Sequence, residues 1–263
     1  MAKSNVARAA AGRALQVLAL NTGFDPLRLG SAVRGVPGFL REIRRYRAAA
    51  GDTPFPLALG TLVPALADRT TAAGTASGHY FHQDLWAARR VFEERPRGHL
   101  DIGSRIDGFV AHLLVFMPVT VVDVRALDST VPGLTFAQDD ATTLASIADQ
   151  TQPSVSCLHA AEHFGLGRYG DPIAPEAPFK LMSSLARVLS PGGRLYFSVP
   201  VGVERLEFNA HRVFDPRTVL RGFGDLHLVA FSAVNDDGDL LHRVSPECAR
   251  GWRYGCGLFE FTR

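Results

Sequence analysis

HLDIGSRIDG occupies residues 99–108, and VTVVDV follows at 119–124. The first opens as a short apolar strand that ends on a glycine. The second is β-branched and almost continuously apolar, as a strand buried on both faces must be. Between them FVAHLLVF (109–116) is predicted helical. The alternation continues with LTFAQ (134–138) and SVSCL (154–158) as strands. FKLMSSLARVL (179–189) is a helix with a wide apolar face, stopped by Ser190-Pro-Gly-Gly193, and RLYFSVPV (194–201) is the next strand. LHLVAFSAV (226–234) and GLFEF (257–261) follow with no clear helix between them, which predicts an antiparallel pair at one edge. Strands alternating with helices give a parallel sheet covered on both faces. The expected fold is α/β, a doubly wound, mostly parallel, seven-stranded sheet from about residue 80 onward.

The stretch before this sheet differs. Residues 5–20 and 37–49 are predicted helical, with breaks at Asp25-Pro26 and Gly51-Asp-Thr-Pro54. Residues 51–78 are rich in Gly, Pro, Ala and Thr and read as a connector. Residues 82–95 place Leu85, Trp86, Arg89 and Phe92 at helical spacing, and Pro96 ends that helix. A helical extension over 1–79 is therefore expected to cap a domain over 80–263. The whole chain carries a net charge of +2, but residues 1–50 hold nine basic residues against Asp25 and Glu42, a net of +7. Such a basic end suits a phosphate-bearing ligand or a membrane surface, and equally a solvated helical face.

Three cysteines with no CxxC spacing suit a reducing cytosol. No apolar run approaches the ~20 residues of a spanning helix. ALQVLAL (14–20) follows two arginines, but no small-residue cleavage site comes after it, so it reads as part of an amphipathic helix. The expected location is cytoplasmic, with a peripheral contact at the inner membrane through the basic end and no nucleic-acid partner.

Open parallel sheets bind ligands at the carboxyl ends of their strands. At the first such end, Gly103 lets a ligand approach the backbone closely. Asp123 ends the second strand twenty residues later, where an acid accepts hydrogen bonds from ribose hydroxyls. After the third strand come Asp139 and Asp140; a carboxylate there suits an adenine amino group, or forms an Asx turn. After the fifth strand Glu204, Glu207, Asn209, His211 and Arg212 cluster in one loop. Asn209, His211 and Arg212 suit a sugar or a phosphate, or form a capping network before a helix at Asp215-Pro216.

The fourth strand runs into His159-Ala-Ala-Glu162-His163. H-x-x-E-H is the metal string of one class of zinc peptidases, in which two histidines on one helical face bind the ion. Gly165, Gly167, Gly170 and Pro172 follow too soon for the sustained helix this needs, so the zinc peptidase is the remote alternative and no resident metal is expected.

These stretches together resemble the class I S-adenosylmethionine (SAM)-dependent methyltransferases. DIGSRIDG stands where that family has its glycine-rich loop, VTVVDV ends on its ribose-binding acid, and FAQDDATTL is similar to its third motif. SVSCLHAAEHF resembles its fourth strand and loop, and LARVLSPGGRLYFSVP its next helix, turn and strand. The resemblance implies a Rossmann-like fold and SAM as cofactor, held by Asp101, Gly103, Ser104, Arg105, Asp123, Asp140, Cys157 and Leu158. His159 or His211 would act as base, and Glu162, Asn209 and Arg212 would hold the acceptor. The chain departs from the family loop in carrying Arg105 and Asp107 in place of two glycines, with Gly108 displaced by one, and in having Ser154 where many members have aspartate. YFHQDLWAARRVF, HLDIGSRIDGFVAHL, FNAHRVF and GLFEF are also similar to the DUF268 group of bacterial proteins, which implies a small-molecule or glycan acceptor and a link to polysaccharide biosynthesis. A degenerate methyltransferase fold that scaffolds polysaccharide assembly is the non-enzymatic alternative.

Overall fold

The computed structural model describes Ala19, residues 21–70 and residues 72–263. The chain divides into two compact units, one ending at Thr75 and the other spanning Ala76–Arg263.

In the first unit, helix α1 spans Pro26–Ala49 and runs through Pro37. The helix predicted to begin at residue 37 thus begins at Pro26, whose fixed φ suits a first helical position. Asp25 caps it, accepting a bond from the Arg28 amide at 3.2 Å. Proline at 37 reads as a second start for the same reason, yet here the helix absorbs it. The Leu66 carbonyl lies so close to Gly35 that any side chain there would collide with it. Most of the helix predicted over 5–20 lies outside the described residues.

In the second unit, α2 spans His79–Glu94 and ends on Arg95 in a left-handed conformation before Pro96. Its buried face is Gln83, Asp84, Trp86, Ala87, Ala88 and Val91. Of the four residues read as its apolar stripe only Trp86 is buried; Phe92 is half-exposed. Ala87, Ala88 and Val91 join Trp86 on the buried face, while Phe92 meets the Phe116 ring edge-on at 5.3 Å from a half-exposed position. Strands β1 (His99–Ile102), β2 (Val119–Asp123), β3 (Leu134–Gln138), β4 (Gln152–Leu158) and β5 (Leu189–Val201) are parallel. A short hairpin, β6 (Arg205–Glu207) and β7 (His211–Val213), stands apart from the sheet. Strands β8 (His227–Val234), β9 (Leu240–Leu241) and β10 (Gly255–Thr262) complete the order β3-β2-β1-β4-β5-β10-β8-β9. β10 runs antiparallel to both β5 and β8, so the expected antiparallel pair is present. The seven expected strands gain an eighth, the two-residue β9, at the edge.

Helices α3 (Ala111–Leu114), α4 (Ala177–Val188) and α5 (Pro216–Gly222) complete the unit. The helix expected over 109–116 is instead a π-turn at Ile106–Val110 leading into the single turn of α3. A π-turn takes up one extra residue, which matches the one-residue displacement of Gly108. No helix among the described residues joins β2 to β3 or β3 to β4. Alternate residues of β5 divide between two cores. Leu195, Phe197 and Val199 pack with Leu181, Leu185 and Phe223 on one face. Tyr196 packs with Trp86, Phe109 and Leu113 on the other. Each such large side chain contributes about 1.5–3 kcal/mol on burial. The sheet is thereby rigid enough to hold its strand ends in fixed relation.

Candidate functional site

Ile102 is in register with Val122, so Gly103 and Asp123 leave the sheet side by side. Gly103 has φ +66°, and an added Cβ there would press on the Ala160 methyl. Asp101 is fully buried. It accepts bonds from the Ser104 amide at 3.0 Å, the Ser104 hydroxyl at 2.6 Å and the Ser156 hydroxyl. Burial raises its pKa to about 6. Asp101 and Ser104 therefore fasten the loop to β4 and turn no polar atom outward. His99 bridges Ser154 at 2.7 Å and Ser156 at 2.8 Å. Burial lowers its pKa to about 3, so the ring is neutral. The Ser156 proton is committed to Asp101, so His99 donates from Nε2 to Ser156 and accepts at Nδ1 from Ser154. Ser154, the residue that departs from the family pattern, thus has a partner in His99.

Arg105 turns away from the loop. It makes two bonds to Asp107, at 3.1 and 2.9 Å, and its guanidinium lies 5.2 Å from the centre of the Tyr80 ring. Asp123 accepts from the Arg125 amide at 2.8 Å and from its guanidinium at 3.0 and 2.7 Å. Arg125 in turn lies 4.6 Å from the Tyr169 ring centre. Asp140 is exposed and accepts from both the amide and the hydroxyl of Thr142, an Asx turn. Cys157 and Leu158 are buried in opposite cores, so only their backbone is open to a ligand.

Beyond β4 the chain enters a short 3-10 turn, Ala161–His163. No helix presents His159 and His163 together, which removes the zinc-peptidase reading. His159 is buried with φ +50°. Its Nδ1 donates to Glu162 at 2.6 Å, and its Nε2 has no hydrogen-bond partner. Burial opposes charging this ring, yet Cys256 and the Glu162 carboxylate outweigh it and hold the pKa well above the usual value. Burial acts against the Glu162 charge too, but His159 prevails and lowers its pKa. His163 donates to the Ala210 carbonyl at 2.7 Å. Arg212 donates to the Phe164 carbonyl at 2.6 Å and approaches those of Glu162 and Pro175. It staples the loop rather than facing outward. Asn209 is exposed at the tip of the hairpin. His211 Nε2 lies 3.5 Å from Glu207 without a hydrogen bond, and burial lowers its pKa. Asp215 caps α5 through the Arg217 amide at 2.9 Å, as its sequence predicts.

The structure gathers around His159 residues that sequence reasoning missed. The His79 ring stacks 5.3 Å from it and Tyr80 lies at 5.1 Å. Tyr254 stacks on His79 at 5.1 Å and meets His211 at 5.2 Å. Ring nitrogens of His79 and His159 and the sulfur of Cys256 all lie within 4.8 Å of one another. Ser198 receives the His159 amide and donates to Gln83. His79 and Cys256 each stand one residue before a stretch singled out in the sequence, YFHQDLWAARRVF and GLFEF, but no local spacing ties them to His159.

The family model described as "Caenorhabditis protein of unknown function, DUF268" matches residues 141–237. No curated protein matches the chain. Among solved structures, the [4+2]-cyclase SpnF superposes with a TM-score of 0.52 at 14% identity, over 69% of this chain and 80% of that one. The 1,6-didemethyltoxoflavin-N1-methyltransferase of Burkholderia thailandensis gives 0.48 at 19% identity, over 69% and 79%. The N-methyltransferase NodS of Bradyrhizobium japonicum gives 0.46 at 14% identity, over 71% and 88%. The chain has a Rossmann-like α/β fold, shared with SpnF, and it matches DUF268 over residues 141–237.

Proposed function

We propose that the protein is a SAM-dependent methyltransferase acting on a small, polar, glycan-related acceptor in bacterial polysaccharide biosynthesis. The observation that carries this reading is the register of β1 and β2, which puts the open backbone of Gly103 beside the carboxylate of Asp123. Asp123 is held by Arg125, whose side chain is more than half exposed. An exposed ion pair is worth only about 0–1 kcal/mol, so ribose hydroxyls can displace Arg125 at little cost. Gly103, Asp123, Asp140 and the backbone of Leu158 would hold the cofactor. When bound, SAM supplies a methyl group on a positively charged sulfur. The protein's part is to align the acceptor and take up its proton. His211 is suited to the proton: its ring is neutral at pH 7 and its Nε2 is free of a hydrogen bond. Asn209 and Glu207 on the same hairpin offer polar groups to a sugar.

The reading includes a cytoplasmic location with peripheral contact at the inner membrane. Leu29, Val33, Val36 and Leu40 form an exposed stripe along α1, among Arg28, Arg34, Arg41 and Arg44. No described helix is long and apolar enough to cross a membrane.

A second reading is favoured by the Asp123–Arg125 and Arg105–Asp107 pairs, which engage the loop charges internally. In it the fold is catalytically degenerate and scaffolds polysaccharide assembly. Calorimetric titration with SAM separates the two. Loss of charged hydrogen bonds to ribose is expected to weaken binding roughly 10–100-fold in Asp123→Ala, while Arg125→Ala binds at least as tightly as wild type. No SAM binding in the wild type, or equal affinity in Asp123→Ala, would overturn the enzymatic reading.

A further inference from the structure

We propose that His79, His159 and Cys256 form a zinc site at the exit of β4, independent of the cofactor loop. Three elements supply it: the first turn of α2, the residue after β4, and the second residue of β10. Their ligand atoms lie within 4.8 Å of one another with no ion present. Zinc bonds of about 2.0–2.3 Å in tetrahedral geometry set ligand atoms roughly 3.3–3.6 Å apart. Ring movements of about an ångström close the set on an ion.

The surroundings already fix each ligand as a metal site requires. His159 directs its Nδ1 proton to Glu162 at 2.6 Å, so that a metal ion takes the place of the proton on Nε2. That nitrogen is buried and lacks a hydrogen-bond partner. A histidine held by a carboxylate on its far nitrogen is the usual support of a ligating imidazole. The His79 ring lies stacked between those of His159, at 5.3 Å, and Tyr254, at 5.1 Å, which orients it. His159 is also held at φ +50°, a left-handed conformation that costs a non-glycine residue about 1–2 kcal/mol. The constraint aims the ring at Cys256 and His79. Cys256 sits on a strand paired on both sides, so its sulfur is the fixed point of the set.

The donor set names the metal class. One thiolate and two imidazoles suit zinc and not magnesium or calcium, which take oxygen ligands. On binding, the Cys256 thiol and the His159 imidazolium Nε2 each release a proton to solvent as the sulfur–metal and nitrogen–metal bonds form. Three protein ligands leave a fourth position, filled in catalytic zinc sites by water or substrate. Tyr80 and Tyr254 flank the cluster. In the methyltransferase reading, that fourth position takes an acceptor oxygen and favours its ionised form; this last clause rests on that reading, and the site itself does not.

Elemental analysis of the full-length protein, purified without chelator or immobilised metal, is expected to show about one zinc per chain. After stripping, titration with Co2+ is expected to give tetrahedral visible bands and a near-ultraviolet thiolate-to-cobalt band. Cys256→Ser loses the thiolate band. His79→Ala loses stoichiometric zinc. Glu162→Gln weakens Co2+ binding roughly 10–100-fold. A wild-type cobalt spectrum identical to the aqueous ion, or equal zinc in wild type, Cys256→Ser and His79→Ala, would overturn the site. Should Cys256→Ser fail to fold, the wild-type spectrum and His79→Ala still decide. SAM titration of the stripped and zinc-loaded protein keeps the two proposals apart: zinc without SAM affinity removes the cofactor reading alone, and SAM affinity without zinc removes the metal site alone.

Discussion

Asp101 shows how one buried carboxylate records its surroundings. It accepts three hydrogen bonds, yet burial still raises its pKa to about 6. The acid is thus harder to ionise in the folded chain than in the unfolded one. Between the unfolded value near 4 and the folded value, the native state holds more protons. Asp101 therefore favours the native state below about pH 4, and this contribution is lost as pH rises to about 6, by about 3 kcal/mol in all. Denaturant titrations of wild type and Asp101→Asn from about pH 4 to about pH 7 should show the wild type losing stability relative to the variant by that order. A difference that stays flat with pH would mean the carboxyl titrates at its ordinary value. The strand and its aspartate are legible in HLDIGSRIDG. The raised pKa is not, because it comes from burial in a core closed by residues more than fifty positions along the chain, against the opposing hydrogen bond of Ser156.

Elements were legible where periodicity and punctuation agree. β3 is found at its expected residues, and β2, β4 and α4 within two residues of theirs. The failures have physical causes. Pro37 suits a helix start, but α1 passes through it. Large side chains suggested the buried face of α2, but beside Trp86 and Val91 that face is made of Gln83, Asp84, Ala87 and Ala88, whose small or polar side chains carry little apolar signal of their own. The extra residue in the glycine loop became a π-turn, invisible to a 3.6-residue period. α1 also carries a prediction of its own. Its exposed stripe flanked by arginines should hold the protein on vesicles containing anionic lipid, and salt should weaken the attachment. Replacing Val33 and Leu40 together by Asp removes two side chains from that face and should lower vesicle affinity at least ~10-fold in a flotation assay. Unchanged flotation would assign the stripe to another role.

At the scale of the molecule, both hydrophobic cores lie wholly between Trp86 and Phe261. The unit Ala76–Arg263 expressed alone should therefore melt in one cooperative transition and keep its near-ultraviolet circular dichroism. A fragment without that signal would show that the first 75 residues complete its core. The candidate site is a property of this larger scale as well. Gly103 and Asp123 can be paired from the sequence because adjacent parallel strands bring twenty-residue neighbours together. His79 and Cys256 cannot, since only the full strand order brings the beginning and the end of the unit to His159.

That strand order also sets a timetable for synthesis. β10 follows β8 in the chain, yet it lies between β5 and β8 in the sheet. As the polypeptide leaves the ribosome, β8 emerges before the strand that will carry it, and the long apolar edge of β5 waits unpaired. An open strand edge recruits other chains. A pause in translation between residues 234 and 255 thus leaves the nascent chain with its stickiest edge bare, and the arrival of Cys256 closes the edge and delivers the sulfur in the same event.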